Sequence, residues 1–185
     1  RQIGTDTESL EIALRNAMRQ APDCILIGEI RDTTTMSAAI AYAQSGHLVL
    51  ATLHANNANN ALNRIVSFYT PENRNVLLSD LSTTLKAVIS QRLIRSRDES
   101  RIPAVEILLN TRHVAELIEQ GRLTDIKEAI EKSMAPGSRS FDQELARIAP
   151  VIRSGGYIPN MDHYVPPDVP WEHFCYYRRQ LARIL

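Results

Sequence analysis

This 185-residue sequence contains few cysteines and has no excess of positive or negative charge. Its two cysteines, Cys24 and Cys175, lie far apart and form neither a metal-binding spacing nor a disulfide framework. Lys+Arg and Asp+Glu each total 21, so the formal net charge is zero. A neutral chain offers no global electrostatic reason to bind nucleic acid or an anionic membrane, and we therefore expect no nucleic-acid partner.

Long apolar runs are absent as well. No stretch is long enough to span a bilayer, and no signal peptide is recognisable, which favours a cytoplasmic protein that is not integral to a membrane. Cys24 lies in a short apolar run, where we expect a reduced and buried thiol. Arg1 rather than methionine begins the sequence, which favours a fragment or a trimmed start.

Hydrophobic residues make up 44% of the chain, enough for a packed core, and their spacing alternates between strand and helix patterns. Residues 24–30 and 47–54 are nearly continuous apolar runs, which predicts two strands buried on both faces of a parallel sheet. Two more strands are predicted at 93–94 and 104–109. Helices are predicted over residues 10–18, 33–44, 58–68, 72–91, 112–120, 124–131 and 141–148. This order predicts an α/β fold followed by a small helical bundle.

Glu29 needs an explanation because it stands at the end of the first predicted strand. Ligands of open α/β sheets bind at the carboxyl ends of the strands. A carboxylate there can hold Mg²⁺ through water or polarise an attacking water, and Gly28 would let a phosphate approach the backbone closely. The alternative is a surface ion pair with Arg31. Residues 23–32 alone leave both interpretations open.

Two histidines bracket the second predicted strand. His47 and His54 are seven residues apart, so on a regular strand they lie about 23 Å from each other and cannot share a metal within one chain. His54 falls at the carboxyl end, the same edge as Glu29 if the strands are parallel. His54 is therefore the better candidate for a phosphate or water contact, and His47 is expected to be structural or to lie at an interface.

Several segments together resemble the secretion ATPases that drive type IV pili. They are "RQAPDCILIGEIRD", "SGHLVLATLHANNANNALNRI", "LKAVISQRLI" and "PAVEILLNT", and the resemblance extends from residue 1 to about residue 146. It is strongest to the PilT/PilU-type retraction ATPases, with PilU-like features. It implies a RecA-like P-loop ATPase core, a hexameric homo-oligomeric ring, and ATP hydrolysis coupled to pilus retraction in twitching motility. It also implies related pilus ATPase subunits and an inner-membrane platform protein as partners, at the cytoplasmic face of the bacterial inner membrane.

The resemblance also assigns roles to individual residues. "ILIGEIRD" matches the Walker B box, which places Glu29 at the Mg²⁺–water position, and "GHLVLATLH" matches the His box, which places His54 near the γ-phosphate. Glu29 and His54 are thus the expected catalytic residues, and Gly28, Glu29 and His54 the expected contacts to ATP. Glu29 is the expected magnesium ligand, through water. His47 and Arg31 are expected to be structural or interface residues.

The phosphate-binding loop of that family is missing from these 185 residues. A P-loop needs GxxxxGK[ST], and none of the three lysines, Lys86, Lys127 and Lys132, follows a glycine. In the family this motif lies upstream of the segment that matches Arg1. Because phosphoryl transfer needs several groups at once, we expect this chain alone not to turn over ATP. The alternatives are a non-catalytic interaction module, or a type II secretion ATPase fragment, although the four-cysteine zinc insertion common in those relatives is absent.

Composition divides the sequence into three expected regions. Residues 1–110 are the partial ATPase core, 111–149 the C-terminal helical region, and 150–185 a tail rich in proline and aromatic residues. The tail resembles the C-terminal end of uroporphyrinogen decarboxylase-like barrel proteins, in which Asp162 and His163 would lie at the end of a barrel strand. One strand and one helix cannot form a barrel, so a decarboxylase or corrinoid methyltransferase fragment ranks last.

Two further patterns have structural explanations. Four arginines between positions 92 and 101 are interspersed with acidic residues and lack interleaved aromatics, which favours a solvated hairpin link over a nucleic-acid surface. The asparagine-rich run from 56 to 60 is predicted to cap the helix that follows it.

Overall fold

The structure is a computed structural model of the chain, and it describes residues 4–9, 22–95 and 101–153 together with positions 12, 13, 16 and 19. The helix predicted over residues 10–18 falls mainly outside the described residues. The tail resemblance, with Asp162 and His163, lies outside them too.

The described part of the chain contains four strands and six α-helices. The strands are β1 (Cys24–Ile27), β2 (Leu48–Ala51), β3 (Ala87–Arg95) and β4 (Arg101–Leu109). The helices are α1 (Thr33–Gln44), α2 (Ala58–Ser67), α3 (Arg74–Thr84), α4 (Arg112–Glu119), α5 (Ile126–Glu131) and α6 (Phe141–Arg153). Short 3-10 turns at Pro71–Asn73 and Leu123–Asp125 lead into α3 and α5. The predicted α/β class is confirmed. None of the helices described is both long and apolar enough to cross a membrane.

Strands β1 and β2 pair in parallel, and α1 connects them. The register places Ile27 beside Ala51, so both strands end at the same edge. Helix α1 begins after an N-cap, Asp32, whose side chain accepts a hydrogen bond from the Thr35 N–H at 2.7 Å. The parallel pairing confirms the prediction from the apolar runs, and it brings the residues that follow the two strands close together.

Within the part of the chain that the structure describes, one face of this two-stranded sheet is open, so the prediction that both strands are buried on both faces is wrong there. Ile27 of β1 is 2% exposed, but its neighbour Leu26 is 73% exposed. On β2, Leu48 and Leu50 are 54% and 49% exposed. Side chains alternate between the two faces of a strand, and the described residues cover one face only. Cys24 is also exposed, which corrects its predicted burial.

The segment predicted as one helix over residues 72–91 is a helix followed by a strand. Helix α3 ends at Thr84, and Leu85 has the extended backbone angles φ −59° and ψ 137°. Strand β3 then pairs antiparallel with β4 along its nine residues, with Ile89 opposite Ile107. β-Branched residues such as Val88 and Ile89 favour a strand, and cross-strand pairing outweighed the helical spacing of the apolar residues.

A shared apolar core joins the first sheet to the C-terminal helices. Ile27 of β1, Leu62 of α2 and Leu81 of α3 belong to the same buried cluster as Ile118 of α4 and Ile126 of α5. The three predicted C-terminal helices are confirmed, and α6 extends further than predicted. The region boundaries at residues 110 and 149 stay predictions.

Candidate functional site

Glu29 and His54 meet beyond the carboxyl ends of the two parallel strands. Thr52 ties the segments that leave β1 and β2 together: its hydroxyl donates to the Gly28 carbonyl, and its carbonyl accepts from the Ile30 N–H at 3.0 Å. His54 Nε2 consequently lies 3.2 Å from Glu29 Oε1. The proximity of these two side chains was expected from parallel strands, whereas their catalytic roles stay a prediction.

The Glu29 carboxylate also forms an ion pair with Arg31, whose Nε donates to Oε2 at 2.6 Å. This hydrogen bond, opposed by partial burial and assisted by the charges of Arg31, His54 and Arg64, holds the pKa of Glu29 below its usual value. The Glu29 side chain is 22% exposed, against 89% for His54. The surface ion pair proposed as the alternative for Glu29 is therefore present, and the same carboxylate contacts His54 with its other oxygen.

A shallow cleft of about 540 Å³, wide open to solvent, lies beside His54. Residues 53–56, between β2 and α2, line it together with Asn60 and Arg64 of α2. The Arg64 guanidinium carbon lies 5.2 Å from the centroid of the Phe68 ring. An imidazole, an amide and a guanidinium thus surround the cleft, with the Glu29 carboxylate nearby, and such groups can bind a phosphate and orient a water.

Helix α2 begins at the asparagine-rich run, as predicted. Asn57 is its N-cap, and the side-chain oxygen accepts a hydrogen bond from the Asn60 N–H at 2.7 Å. Asn60 and Arg64 are exposed one turn apart, while the buried residues of the helix are Ala58, Ala61, Leu62 and Ile65. Arg64 was not among the predicted site residues, although helical spacing from the cap places Asn60 and Arg64 on one face.

His47 lies at the opposite end of β2 from His54. Its Nδ1 is 3.0 Å from the Ser45 hydroxyl and 3.3 Å from the Tyr42 carbonyl. These contacts connect the end of α1 to the start of β2, which fits the structural role expected of His47. The two histidines thus lie at opposite ends of β2, as their spacing predicted. An interface role for His47 stays a prediction.

Gly28 and Glu29 were expected to contact a nucleotide and its metal ion. A Cβ placed on Gly28 would meet open space, so a ligand can approach this backbone. Mg²⁺ keeps several waters and takes one or two carboxylates besides phosphate oxygens, and the single carboxylate of Glu29 fits that requirement through water. Within residues 4–9, 22–95 and 101–153, no group of three His, Cys, Asp or Glu side chains is placed to hold a metal ion.

Two residues of the β3–β4 hairpin contact the segment that leads into α2. Arg92 Nε donates to the Asn56 carbonyl at 2.8 Å, and its guanidinium carbon lies 4.4 Å from the Phe141 ring centroid. Glu106, 6% exposed, accepts a hydrogen bond from the Ala58 N–H at 2.9 Å. Arg92 is exposed, as expected, but it lies on β3 and makes these contacts, while residues 96–100 of the predicted solvated link lie outside the described residues. Glu106 was missed, although the period-two pattern of β4 would have placed it on the core face.

Comparisons with known proteins also identify pilus ATPases as similar to this chain. The chain is 46% identical over 149 residues to the type IV pilus ATPase PilU of Pseudomonas aeruginosa, an alignment that covers 80% of this chain and 39% of that protein. It is 36% identical over 142 residues to the type IV pilus retraction ATPase PilT of the same species, which covers 77% of this chain and 41% of PilT. The chain therefore spans about two-fifths of the length of these relatives.

A solved structure and a family model extend the likeness to the fold. A crystal structure of the pilus retraction motor PilT with bound ADP matches with a TM-score of 0.72 at 33% identity, covering 81% of this chain and 42% of that one. The model of the family described as type II/IV secretion system protein matches residues 4–120, more than half of the sequence. The chain belongs to the type II/IV secretion system protein family.

Proposed function

We propose that this chain is part of an ATP-driven motor that retracts type IV pili in twitching motility, and that it supplies the second half of the nucleotide site. The observation that carries the proposal is the 3.2 Å approach of His54 Nε2 to Glu29 Oε1, where two parallel strands end. The likeness to pilus retraction ATPases supports it.

Glu29 has the clearest chemical role in this proposal. Glutamate is ionised at neutral pH, and the Arg31 hydrogen bond, the largest lowering cause, holds the pKa of Glu29 below its usual value. Phosphoryl transfer is catalysed mainly by positioning and charge stabilisation. Glu29 would orient the water that attacks the terminal phosphate, and it would hold Mg²⁺ through water. When bound, Mg²⁺ supplies neutralisation of the charge on the phosphate oxygens.

The other polar groups of the site would bind the nucleotide phosphates. His54 is within hydrogen-bond reach of Glu29 and borders the cleft, so its imidazole can contact both the terminal phosphate and the water beside it. Asn60 and Arg64 line the same cleft from α2. The Arg64 guanidinium can pair with phosphate oxygens in the planar, two-pronged geometry that such anions favour.

The assembly proposed for the whole protein is a hexameric ring at the cytoplasmic face of the inner membrane. Related pilus ATPase subunits and the inner-membrane platform protein are its proposed partners. The 185 residues contain no P-loop, and in this proposal the phosphate cradle is supplied by residues outside them. For the isolated chain, that absence favours the second candidate function, a non-catalytic module that joins a ring beside complete subunits.

The experiment uses the longest open reading frame that contains this chain. We expect its purified product to release phosphate from Mg²⁺–ATP, and Glu29→Gln to lower kcat by about 100-fold or more, because the substitution removes the charge and keeps the shape. Glu119→Gln is the matched control, since Glu119 is exposed on α4, and it should leave kcat unchanged. A Glu29→Gln variant with wild-type kcat would contradict the proposed site.

Two further measurements separate the alternatives. The isolated 185-residue chain should show no steady phosphate release, and release that is lost in Glu29→Gln would overturn its proposed inactivity. A chromosomal Glu29→Gln substitution should abolish twitching and leave the secretion of folded exoproteins intact. Loss of secretion with normal twitching would instead identify a type II secretion ATPase.

A further inference from the structure

The His54 side chain owes its position mainly to the backbone that carries it. His54 lies on residues 52–57, a connection without regular secondary structure between β2 and α2. Its side chain is 89% exposed, so little packing holds the imidazole in place. The position of the ring relative to Glu29 therefore depends on how the two ends of this connection are fixed.

Both ends of the connection are anchored. At the first end, Thr52 exchanges hydrogen bonds with the segment that follows β1. At the second end, Glu106 of β4 accepts from the Ala58 N–H at 2.9 Å, and Arg92 of β3 donates to the Asn56 carbonyl at 2.8 Å. We call Arg92 and Glu106 the hairpin clamp. Arg92 binds the backbone two residues after His54, and Glu106 binds it four residues after His54, each from a different strand of the hairpin.

Glu106 does more than accept a hydrogen bond from the first N–H of α2. A carboxylate that is 6% exposed carries a large desolvation cost unless its partners offset it. The first N–H of α2 and the positive end of the helix dipole provide that offset. Asn57 already caps the helix through the Asn60 N–H, using a side chain that is local in sequence. The distinct effect of Glu106 is to hold the start of α2 against the β3–β4 sheet.

We propose that Glu106 is a positioning residue for the nucleotide site: by holding the first turn of α2 against the β3–β4 hairpin, it sets the place of the His54 imidazole beside Glu29. The inference rests on the proposed function for its catalytic consequence. Reactions that depend on alignment lose about 100-fold in rate for a displacement of about 1 Å, so a small shift of this loop would be measurable.

The kinetic test compares Glu106→Leu with Glu106→Gln in the protein from the longest open reading frame. Leucine removes the acceptor and leaves the N–H of the fully buried Ala58 without it, so the urea midpoint of unfolding should fall, and kcat is measured well below the melting temperature. We expect kcat to fall about 10- to 100-fold with a nearly unchanged KM for ATP. Glutamine keeps an oxygen that can accept from the Ala58 N–H, and it should restore most of kcat.

Leu108→Ala is the matched control. Leu108 is fully buried on the same face of β4 as Glu106, belongs to the apolar core cluster and offers no hydrogen-bonding side chain. This substitution should lower the urea midpoint of unfolding while kcat, measured well below the melting temperature, stays at the wild-type value. Equal losses of kcat in Leu108→Ala and Glu106→Leu would reduce Glu106 to a general stabiliser and overturn the proposal.

A spectroscopic test on the 185-residue chain needs no turnover. The ring resonances of His54, assigned by their loss in His54→Gln, should shift in Glu106→Leu and return in Glu106→Gln, whereas those of His47 should not move. Unmoved His54 resonances overturn the proposal. If Glu29→Gln abolishes turnover while Glu106→Leu keeps wild-type kcat, the inference fails and the proposed function stands. If Glu29→Gln keeps wild-type kcat, the proposed function fails and the resonances alone decide the positioning role.

Discussion

The strongest prediction about stability concerns Glu144 of α6, a carboxylate buried between two arginines. Its side chain is 5% exposed and accepts from Arg139 Nη1 at 3.0 Å and from Arg147 Nε and Nη2, both at 2.9 Å. Glu144→Gln keeps the size of the side chain, removes its charge, and turns one acceptor into a donor that faces guanidinium donors. The cluster would lose most of its attraction.

The magnitude follows from the exposure of the three partners. Removing one member of a buried ion pair typically costs about 3–5 kcal/mol, because a charge is left buried without a partner. Arg139 is 17% exposed and remains largely buried, whereas Arg147 is 62% exposed and can return to water. Only the Arg139 guanidinium would therefore stay buried without its charged partner. We accordingly expect Glu144→Gln to lower the unfolding free energy by about 2–3 kcal/mol.

The dependence on pH gives a second signature. Burial acts to raise the pKa of Glu144, but the hydrogen bonds and charges of Arg147 and Arg139 outweigh it and hold the pKa below its usual value. Stability from a carboxyl with a lowered folded-state pKa is fully present above the unfolded value, about 4.3, and is lost as pH falls through the folded-state pKa. Glutamine does not titrate, so the difference between wild type and Glu144→Gln should shrink in acid.

Urea unfolding at pH 7 and in steps down to pH 3 measures both effects, with the change read from the midpoint at constant m-value. Glu116→Gln is the control, because Glu116 pairs with Arg112 at 3.2 Å in a similar helical spacing but with 51% and 95% of the side chains exposed. That control should lose no more than about 0.5 kcal/mol. Equal losses in the two variants, or a Glu144→Gln deficit that does not change with pH, would refute the reasoning.

Three further predictions test the fold with five substitutions. Asn110 donates at 2.9 Å to two carbonyls at the end of α3, so Asn110→Asp should cost about 2–3 kcal/mol in urea unfolding at neutral pH, and a loss below 1 kcal/mol would contradict this account. Ile27→Ala should cost about 2–4 kcal/mol and Leu26→Ala less than about 0.5, since the exposed fractions are 2% and 73%; equal costs would restore a sheet buried on both faces. Asp32→Ala should cost about 1 kcal/mol in thermal unfolding and Asp32→Asn much less, because only alanine loses the acceptor for the Thr35 N–H.

Much of the candidate site could be anticipated because its main residues follow apolar strands. A parallel pair brings the residues after both strands to one edge, so Glu29 and His54 could be placed together before any coordinates were known. The asparagine cap of α2 was equally local. Glu106 could not be connected to the His54 loop in this way, since the Ala58–Glu106 hydrogen bond joins residues 48 positions apart.

The wrong predictions for residues 72–91 and for the burial of the first sheet also arise from contacts between distant segments. Apolar spacing over residues 72–91 is compatible with a helix or with a helix and a strand, and pairing with β4 decided in favour of the strand from Ala87 onward. A continuous apolar run predicts burial but not the layers that provide it. Leu26 is exposed because the described chain covers one face of the sheet, whereas Ile27 on the other face is in the core.

By itself, the sequence determined which strands end in a carboxylate and a histidine, where α2 is capped, and that a P-loop is absent from these 185 residues, because each depends on neighbouring residues or on a short motif. The tertiary structure alone decided which face of the first sheet is buried and that the β3–β4 hairpin grips the loop after His54. Burial and long-range hydrogen bonds depend on which distant segments pack together, and no local pattern of residues encodes that.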